Sequence, residues 1–245
     1  MVSLRSLSAN FKAATQMLAN DQFARRGRVA VQTEAFRARA KIRPTSLAEL
    51  VGKSDHLEVK LPGPCVDSAD VGDPGFYYAL GAIVGTSRPR AILEIGTFLG
   101  VSTLVMAMNA PEARITTVDL PSDGADAHGL TGTDLGLSIT ARARCGEAFA
   151  QTPYTERITQ LRVDSRKLDP ASLGQFDLVF IDGGHTAEIV KADTATAMAI
   201  VADGGSVIWD DYWWYYRDVV KYLNELSDSL PLHRIEDTNL VIWKS

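Results

Sequence analysis

AILEIGTFLGVST, residues 91–103, is the stretch that decides the fold. An apolar run ends in an acid, Glu94, and a glycine pair, Gly96 and Gly100, and a second apolar segment then starts with Ser102 and Thr103. That pattern is the one a buried parallel strand makes when it turns tightly into a helix. Glycine serves where the backbone turns sharply and where a ligand must approach without meeting a β-carbon. The first N–H groups of the new helix have no partner inside it, so they face whatever sits in the turn.

Further along, a series of strand-like runs each ends in an acid. ARITTVDLP (113–121) ends in Asp119, RITQLRVDS (157–165) in Asp164, FDLVFIDGGH (176–185) in Asp182, and GGSVIWDDY (204–212) in Asp210 and Asp211. Open α/β sheets bind ligands at the carboxyl ends of their strands, so these acids in register describe a site. Helices are expected near 75–86, after Gly100, over 138–151, 186–201 and 215–227, with LHRI (232–235) and LVIW (240–243) as a closing hairpin. The alternation predicts an α/β fold with a mostly parallel sheet and an antiparallel strand near its end. PSDGADAHGLTGTDLG (121–136) lacks periodicity and reads as a long loop at the carboxyl edge. It is either a cover for the site or a plain surface loop.

With these motifs in hand, residues 75–245 resemble the class I S-adenosylmethionine-dependent methyltransferases. The turn is Glu94-x-Gly96-x-x-x-Gly100, not the Gly-x-Gly-x-x-Gly of nicotinamide enzymes. LEIGTFLGVST, FIDGGHTAEIVKAD and VIWDDY together are similar to a bacterial branch that includes macrocin-type sugar O-methyltransferases, cephalosporin-hydroxylase-like proteins and catechol O-methyltransferase-like enzymes. The resemblance implies a Rossmann-like, doubly wound, mostly parallel seven-stranded sheet with S-adenosylmethionine as cofactor. Gly96 and Gly100 would line the turn near the methionine part, and Glu94 would orient backbone or bind the amino group. Asp119 would take the ribose hydroxyls, while Asp164 and Ser165 would lie near the adenine. In that branch the acids at Asp182, Asp210 and Asp211 bind magnesium, which holds the acceptor oxygens; the alternative gives Asp182 to the cofactor and Asp210 to a helix cap.

Three carboxylates at adjacent strand ends repel one another, and a hard divalent cation relieves that repulsion. His185 follows two glycines and is the candidate general base, because a neutral imidazole accepts a hydroxyl proton near pH 7. A metal ligand or a turn residue are the other readings of it. Tyr212-Trp213-Trp214-Tyr215-Tyr216-Arg217 is the densest aromatic cluster, suited to a pocket wall for a sugar or planar acceptor, or to core packing or a dimer contact. Tyr77 and Tyr78 are candidates to close the cofactor pocket. His56, His128 and His233 have no such context.

The chain has 245 residues, 46% of them hydrophobic and 22% charged, which fits one globular domain with an appendage. Its net charge of −5 argues against general nucleic-acid binding, and no apolar run is long enough to span a membrane. No secretion signal is evident and Cys65 and Cys145 read as free thiols, so a cytoplasmic location is expected. Residues 1–45 carry nine Lys or Arg against Asp21 and Glu34, with apolar residues at mostly helical spacing from Leu4 to Leu18. This basic stretch would either bind an acidic surface or partner, or supply helices that pack on the core or on a second subunit. We therefore expect a helical cap or oligomerisation extension over 1–70 and a cofactor-binding domain over 71–245, in a homo-oligomer. The function expected is a magnesium-assisted O-methyltransferase acting on a small hydroxylated, sugar-bearing or other specialised metabolite. A non-catalytic cofactor-binding subunit or regulator is the alternative.

Overall fold

The computed structural model describes residues 29–52, 57–63, 74–121, 130, 132–141 and 143–245. The amphipathic stretch before residue 29, His56, Cys65, His128 and most of the 121–136 segment lie outside the described residues. The chain divides into two units. One comprises residues up to Lys41 together with Trp213–Tyr215, and the other Ile42–Tyr212 with Tyr216–Ser245. In the first, residues 29–37 are helical, and the Thr33 hydroxyl accepts the indole N–H groups of Trp213 (3.1 Å) and Trp214 (3.3 Å).

The second unit is built on an eight-stranded sheet. Its strands are β1 (Arg43–Thr45), β2 (Ala91–Ile95), β3 (Arg114–Asp119), β4 (Ile158–Arg162), β5 (Phe176–Ile181), β6 (Val201–Trp209), β7 (His233–Ile235) and β8 (Val241–Lys244). They lie in the order β1-β7-β8-β6-β5-β2-β3-β4, and only β8 runs antiparallel to its neighbours. β2, β5 and β6 form its middle, and Ile92–Ile95, Leu178–Ile181 and Val207–Trp209 are buried because both faces of the sheet are covered there. The sheet therefore has one strand more than the seven expected. The addition is Arg43–Thr45, parallel to β7 at the edge, too short to show a period-two pattern in the sequence. Pro44 is tolerated there because an edge strand leaves one row of N–H positions unpaired.

Helix Pro74–Ser87 contributes Ala79, Leu80, Ile83 and Val84 to the main core, and helix Val101–Asn109 adds Met106 and Ala107. Helix Ala187–Ile200 starts at Thr186, whose hydroxyl caps the Ile189 N–H, and buries Ile189, Val190 and Ala197. Helix Arg217–Leu226 keeps only Val219 and Leu223 buried, as its alternation of charged and apolar residues requires. Asp177 at the head of β5 accepts the N–H groups of Arg90 (2.7 Å) and Ala91 (3.0 Å), so two neighbouring strands are tied at their amino ends.

One expectation needs correcting. Residues 132–136 are not loop: a helix runs from Gly132 to Ala141, and a short one follows at Glu147–Ala150. Glycines, threonines and a serine make up half of GTDLGLSITA, so its helical period is too sparse to read.

The turn after β2 has no slack. Gly96 holds φ +105°, and a β-carbon there would stand 1.9 Å from the Asp182 carbonyl oxygen. Gly100 holds φ +82°, with the Phe149 ring 2.6 Å from its would-be β-carbon. Gly96→Ala should therefore cost more than the roughly 1–3 kcal/mol of a strained backbone alone. Urea unfolding checks it, and a variant as stable as the parent would mean that the β2 and β5 ends can separate.

Candidate functional site

Register assembles the site. Ile95 pairs with Val118 on one side and Ile181 on the other, and Ile181 pairs with Trp209. One residue further along each strand, the Gly96 N–H reaches the Val118 carbonyl (2.8 Å), Asp182 reaches Ile95 (2.8 Å) and Asp210 reaches Ile181 (2.9 Å). Gly96, Asp119, Asp182 and Asp210 thus stand side by side at the carboxyl edge. A cavity of about 300 Å³ opens there, lined among others by Gly96, Asp119, Ser165, Asp182, His185 and Tyr216.

Glu94 lies beneath the cavity rather than in its wall. It is wholly buried, and its carboxylate receives the hydroxyls of Ser102 (2.6 Å), Thr117 (2.6 Å) and Thr103. Burial lifts its pKa to about 7 against those three donors. The acid and the two hydroxyls of the following helix, all legible in the opening motif, form one buried knot that fixes the turn. Gly100 likewise does not line the cavity; its left-handed backbone begins the helix.

Asp119 faces the turn from β3. Its Oδ2 accepts the N–H groups of Thr97 (3.2 Å) and Phe98 (2.7 Å), and its Oδ1 that of Leu120 (2.7 Å). Cys145 lies against it with Sγ 3.4 Å from Oδ2, and burial, then the negative charge of Asp119, pushes that thiol up to about 12. Asp164 is buried at the end of β4, where Arg166 grips it with two hydrogen bonds (3.0 and 2.7 Å) and Glu188 takes the other side of the guanidinium (3.2 Å). Asp164, Ser165 and Arg166 all line the cavity.

At the other end, carboxylate oxygens of Asp182, Asp210 and Asp211 lie within 4.8 Å of one another. Burial first, and then their mutual repulsion, pushes the Asp182 and Asp210 carboxyls well above the usual range. Asp211 takes a left-handed backbone (φ 64°), and its N–H donates to Asp210 Oδ1 (2.7 Å). The donor set fits a hard cation: oxygens only, crowded, and at the floor of an open cavity.

His185 is fixed from three directions. Its Nδ1 meets Asp134 Oδ1, its Nε2 lies 2.7 Å from Asp211 Oδ2, and the Tyr216 ring stacks on it at 3.9 Å and 11°. Burial opposes its charge, but the two carboxylates overcome that and raise its pKa to about 10. Two carboxylates facing one ring favour its charged form, whereas the sequence reading takes a neutral one. Asp134 in turn is held below the usual carboxylate range by His185, although burial works the other way.

Sequence reading passed over Asp134, Arg166 and Asp193. Asp134 sat in a stretch read as loop, and its partner is 51 residues away. Asp193 is wholly buried on helix Ala187–Ile200, with no hydrogen bond of good geometry to either oxygen; burial lifts its carboxyl to about 7, the Ser165 hydroxyl only partly offsetting it. The aromatic cluster is divided: Tyr216 lines the cavity, Tyr212 is buried with its hydroxyl on Asn224 (2.6 Å), and Trp213–Tyr215 belong to the other unit. Tyr77 packs against Leu99 and Val101, while Tyr78 and His233 are exposed. Among the described residues no helix is long and apolar enough to cross a membrane.

Residues 93–212 match the family model described as "Methyltransferase domain". O-methyltransferase hkm8 from Aspergillus hancockii is 32% identical over 142 residues, covering 52% of this chain and 50% of that protein. The chain thus spans about half the length of this relative. Among solved structures, the S-adenosylhomocysteine-bound methyltransferase PaMTH1 from Podospora anserina superposes with a TM-score of 0.53 at 17% identity, over 81% of this chain and 94% of that one. The O-methyltransferase TomG from Streptomyces achromogenes, in complex with S-adenosylmethionine, gives 0.52 at 18%, over 77% and 92%. These two likenesses are of fold.

Glu94 offers a check on the buried knot. Its folded pKa, about 7, lies above its ordinary 4.5, so its stabilising contribution is complete below pH 4.5 and is lost as the pH rises toward 7. The difference in unfolding free energy between parent and Glu94→Gln should shrink by about 3 kcal/mol across that window. Urea titrations at pH 5 to 8 measure it; a difference independent of pH would mean that Glu94 is ionised throughout.

Proposed function

We propose that this chain, whose residues 93–212 form a methyltransferase domain of the class I S-adenosylmethionine-dependent kind, is an O-methyltransferase acting on a small hydroxylated metabolite. The observation that carries the reading is the Asp182–Asp210–Asp211 cluster beside the same cavity that Gly96, Asp119 and Ser165 line. One end of the cavity has the features of a nucleoside pocket and the other those of a site for a cation-bound oxygen acceptor.

The chemistry is an in-line displacement. The acceptor hydroxyl gives up its proton to water as its oxygen bonds to the sulfonium methyl carbon, the carbon–sulfur bond breaks with its electron pair going to sulfur, and neutral S-adenosylhomocysteine leaves. Gly96 lines the cavity and would lie beside the methionine part, its turn packed directly on the Asp182 carbonyl. Asp119 Oδ2 is taken up by the Thr97 and Phe98 N–H groups and the Cys145 thiol, whereas Oδ1, with one N–H from Leu120, keeps a lone pair with which to accept a ribose hydroxyl. Ser165 and the Asp164–Arg166 pair flank the position for adenine. Asp182, Asp210 and Asp211 would hold magnesium, which supplies a hard positive charge that chelates acceptor oxygens and lowers the pKa of a hydroxyl. His185 and Tyr216 orient the acceptor beside those acids, and the stacked Tyr216 ring favours a ring-bearing acceptor such as a sugar or a phenol. Such alignment is the main service an enzyme renders to this reaction.

Calorimetric titration with S-adenosylhomocysteine, in magnesium and then in EDTA, tests the cofactor half. Binding is expected in both, and binding of NADH instead would overturn the assignment. Asp210→Asn and Asp211→Asn should leave that affinity within about threefold, which is under 1 kcal/mol. Turnover, once an acceptor is found by screening with magnesium, should fall by at least the roughly 10–100-fold that loss of a supporting group around a metal costs. Cofactor binding with turnover indifferent to both substitutions and to EDTA would reject the metal; binding with no acceptor found at all would favour a non-catalytic subunit.

A further inference from the structure

We propose that Asp134 is a positioning residue of this site, fixing His185 so that its Nε2 holds the Asp211 carboxylate within the acid cluster. The proposal rests on reading Asp182, Asp210 and Asp211 as a cation site.

Asp134 is in the first turn of helix Gly132–Ala141 and only 8% exposed. Both of its oxygens go to one residue: Oδ2 accepts the His185 backbone N–H (3.0 Å) and Oδ1 faces ring Nδ1. A carboxylate that grips main chain and ring together leaves the imidazole no rotation about its own axis. Gly184 shows how closely the turn is seated, since a β-carbon there would lie 3.4 Å from Asp134 Oδ2 and 2.7 Å from Ile189. From the far side Nε2 meets Asp211 Oδ2 at 2.7 Å, and Tyr216 covers one ring face. Asp211 needs such a hold: its backbone is left-handed, a conformation that a non-glycine residue keeps only when its surroundings impose it. The chain Asp134–His185–Asp211 therefore runs from the helix that walls the cavity through Leu137 and Ser138 to the acid cluster on its floor. A negative residue in a first helical turn is also favourable to the helix dipole, so stability alone does not identify the role.

Ring N–H signals of histidine-labelled protein and magnesium affinity, measured calorimetrically with S-adenosylhomocysteine bound, separate the two roles without an acceptor. In the parent, the His185 ring N–H facing Asp134 should be shifted downfield and slow to exchange. In Asp134→Ala that signal should vanish and magnesium should bind at least about tenfold more weakly, with S-adenosylhomocysteine held within about threefold. Asp134→Asn keeps an acceptor for the backbone N–H, and its amide N–H donates to Nδ1 once that nitrogen has given up its proton, leaving Nε2–H on Asp211, so it should recover magnesium affinity to within about threefold of the parent. Unchanged ring signals and magnesium affinity in Asp134→Ala would overturn the proposal. So would Asp134→Asn failing as badly as the alanine variant, or a loss of magnesium and cofactor binding in parallel, which marks a collapsed cavity. A parent that binds the cofactor but no magnesium defeats the cation reading instead, and the ring signals then judge the Asp134–His185 link by themselves.

Discussion

Carboxylates gathered at one edge of a parallel sheet repel one another, and the surroundings of this edge are organised by how each is answered. Glu94 is answered by three hydroxyls, Asp119 by backbone N–H groups, Asp164 by the guanidinium of Arg166, and Asp134 and Asp211 by the two nitrogens of one histidine. Asp182 and Asp210 face chiefly each other and Asp211, and their carboxyls are pushed well up. Among the described residues, the repulsion that is relieved elsewhere along this edge is strongest at that point.

The same edge is also the tightest part of the backbone. Gly96 passes the Asp182 carbonyl so closely that no side chain fits between them, and that proximity is what turns separate strand ends into one floor. The buried knot around Glu94 supports it from below: helix Val101–Asn109 is fastened to β2 and β3 by hydroxyls on Ser102, Thr103 and Thr117 rather than by apolar packing alone. A buried carboxyl with a pKa of about 7 makes this support sensitive to pH in the neutral range.

The aromatic run after Asp211 serves several purposes at once. Tyr216 stacks on His185 in the cavity, Tyr212 is buried with its hydroxyl on Asn224, and Trp213 and Trp214 belong with Thr33 to the first unit, where they donate to its hydroxyl. A contiguous cluster in sequence is divided because successive residues in a tight connection point in different directions. Sequence alone could suggest a wall, core packing or a dimer contact, and Tyr216 takes the first of these parts and Tyr212 the second.

Much of the fold was legible in the sequence because local physics dictates it. The apolar runs of β2, β3, β5 and β6, each closed by an acid, specify buried parallel strands, and glycines at 96 and 100 specify a turn that L-residues cannot make. The convergence of Asp182, Asp210 and Asp211 followed too, since strand ends in register must be neighbours. What only the tertiary structure decided involves partners distant in sequence or patterns too short to register. Arg43–Thr45 becomes a strand because β7 offers a free edge; Glu94 turns inward to hydroxyls and away from the cavity; Asp193 is buried without a good partner. Asp134, in a stretch with no visible periodicity, finds His185 across 51 residues, and no local rule encodes that pairing because it exists only once the helix is laid against the sheet.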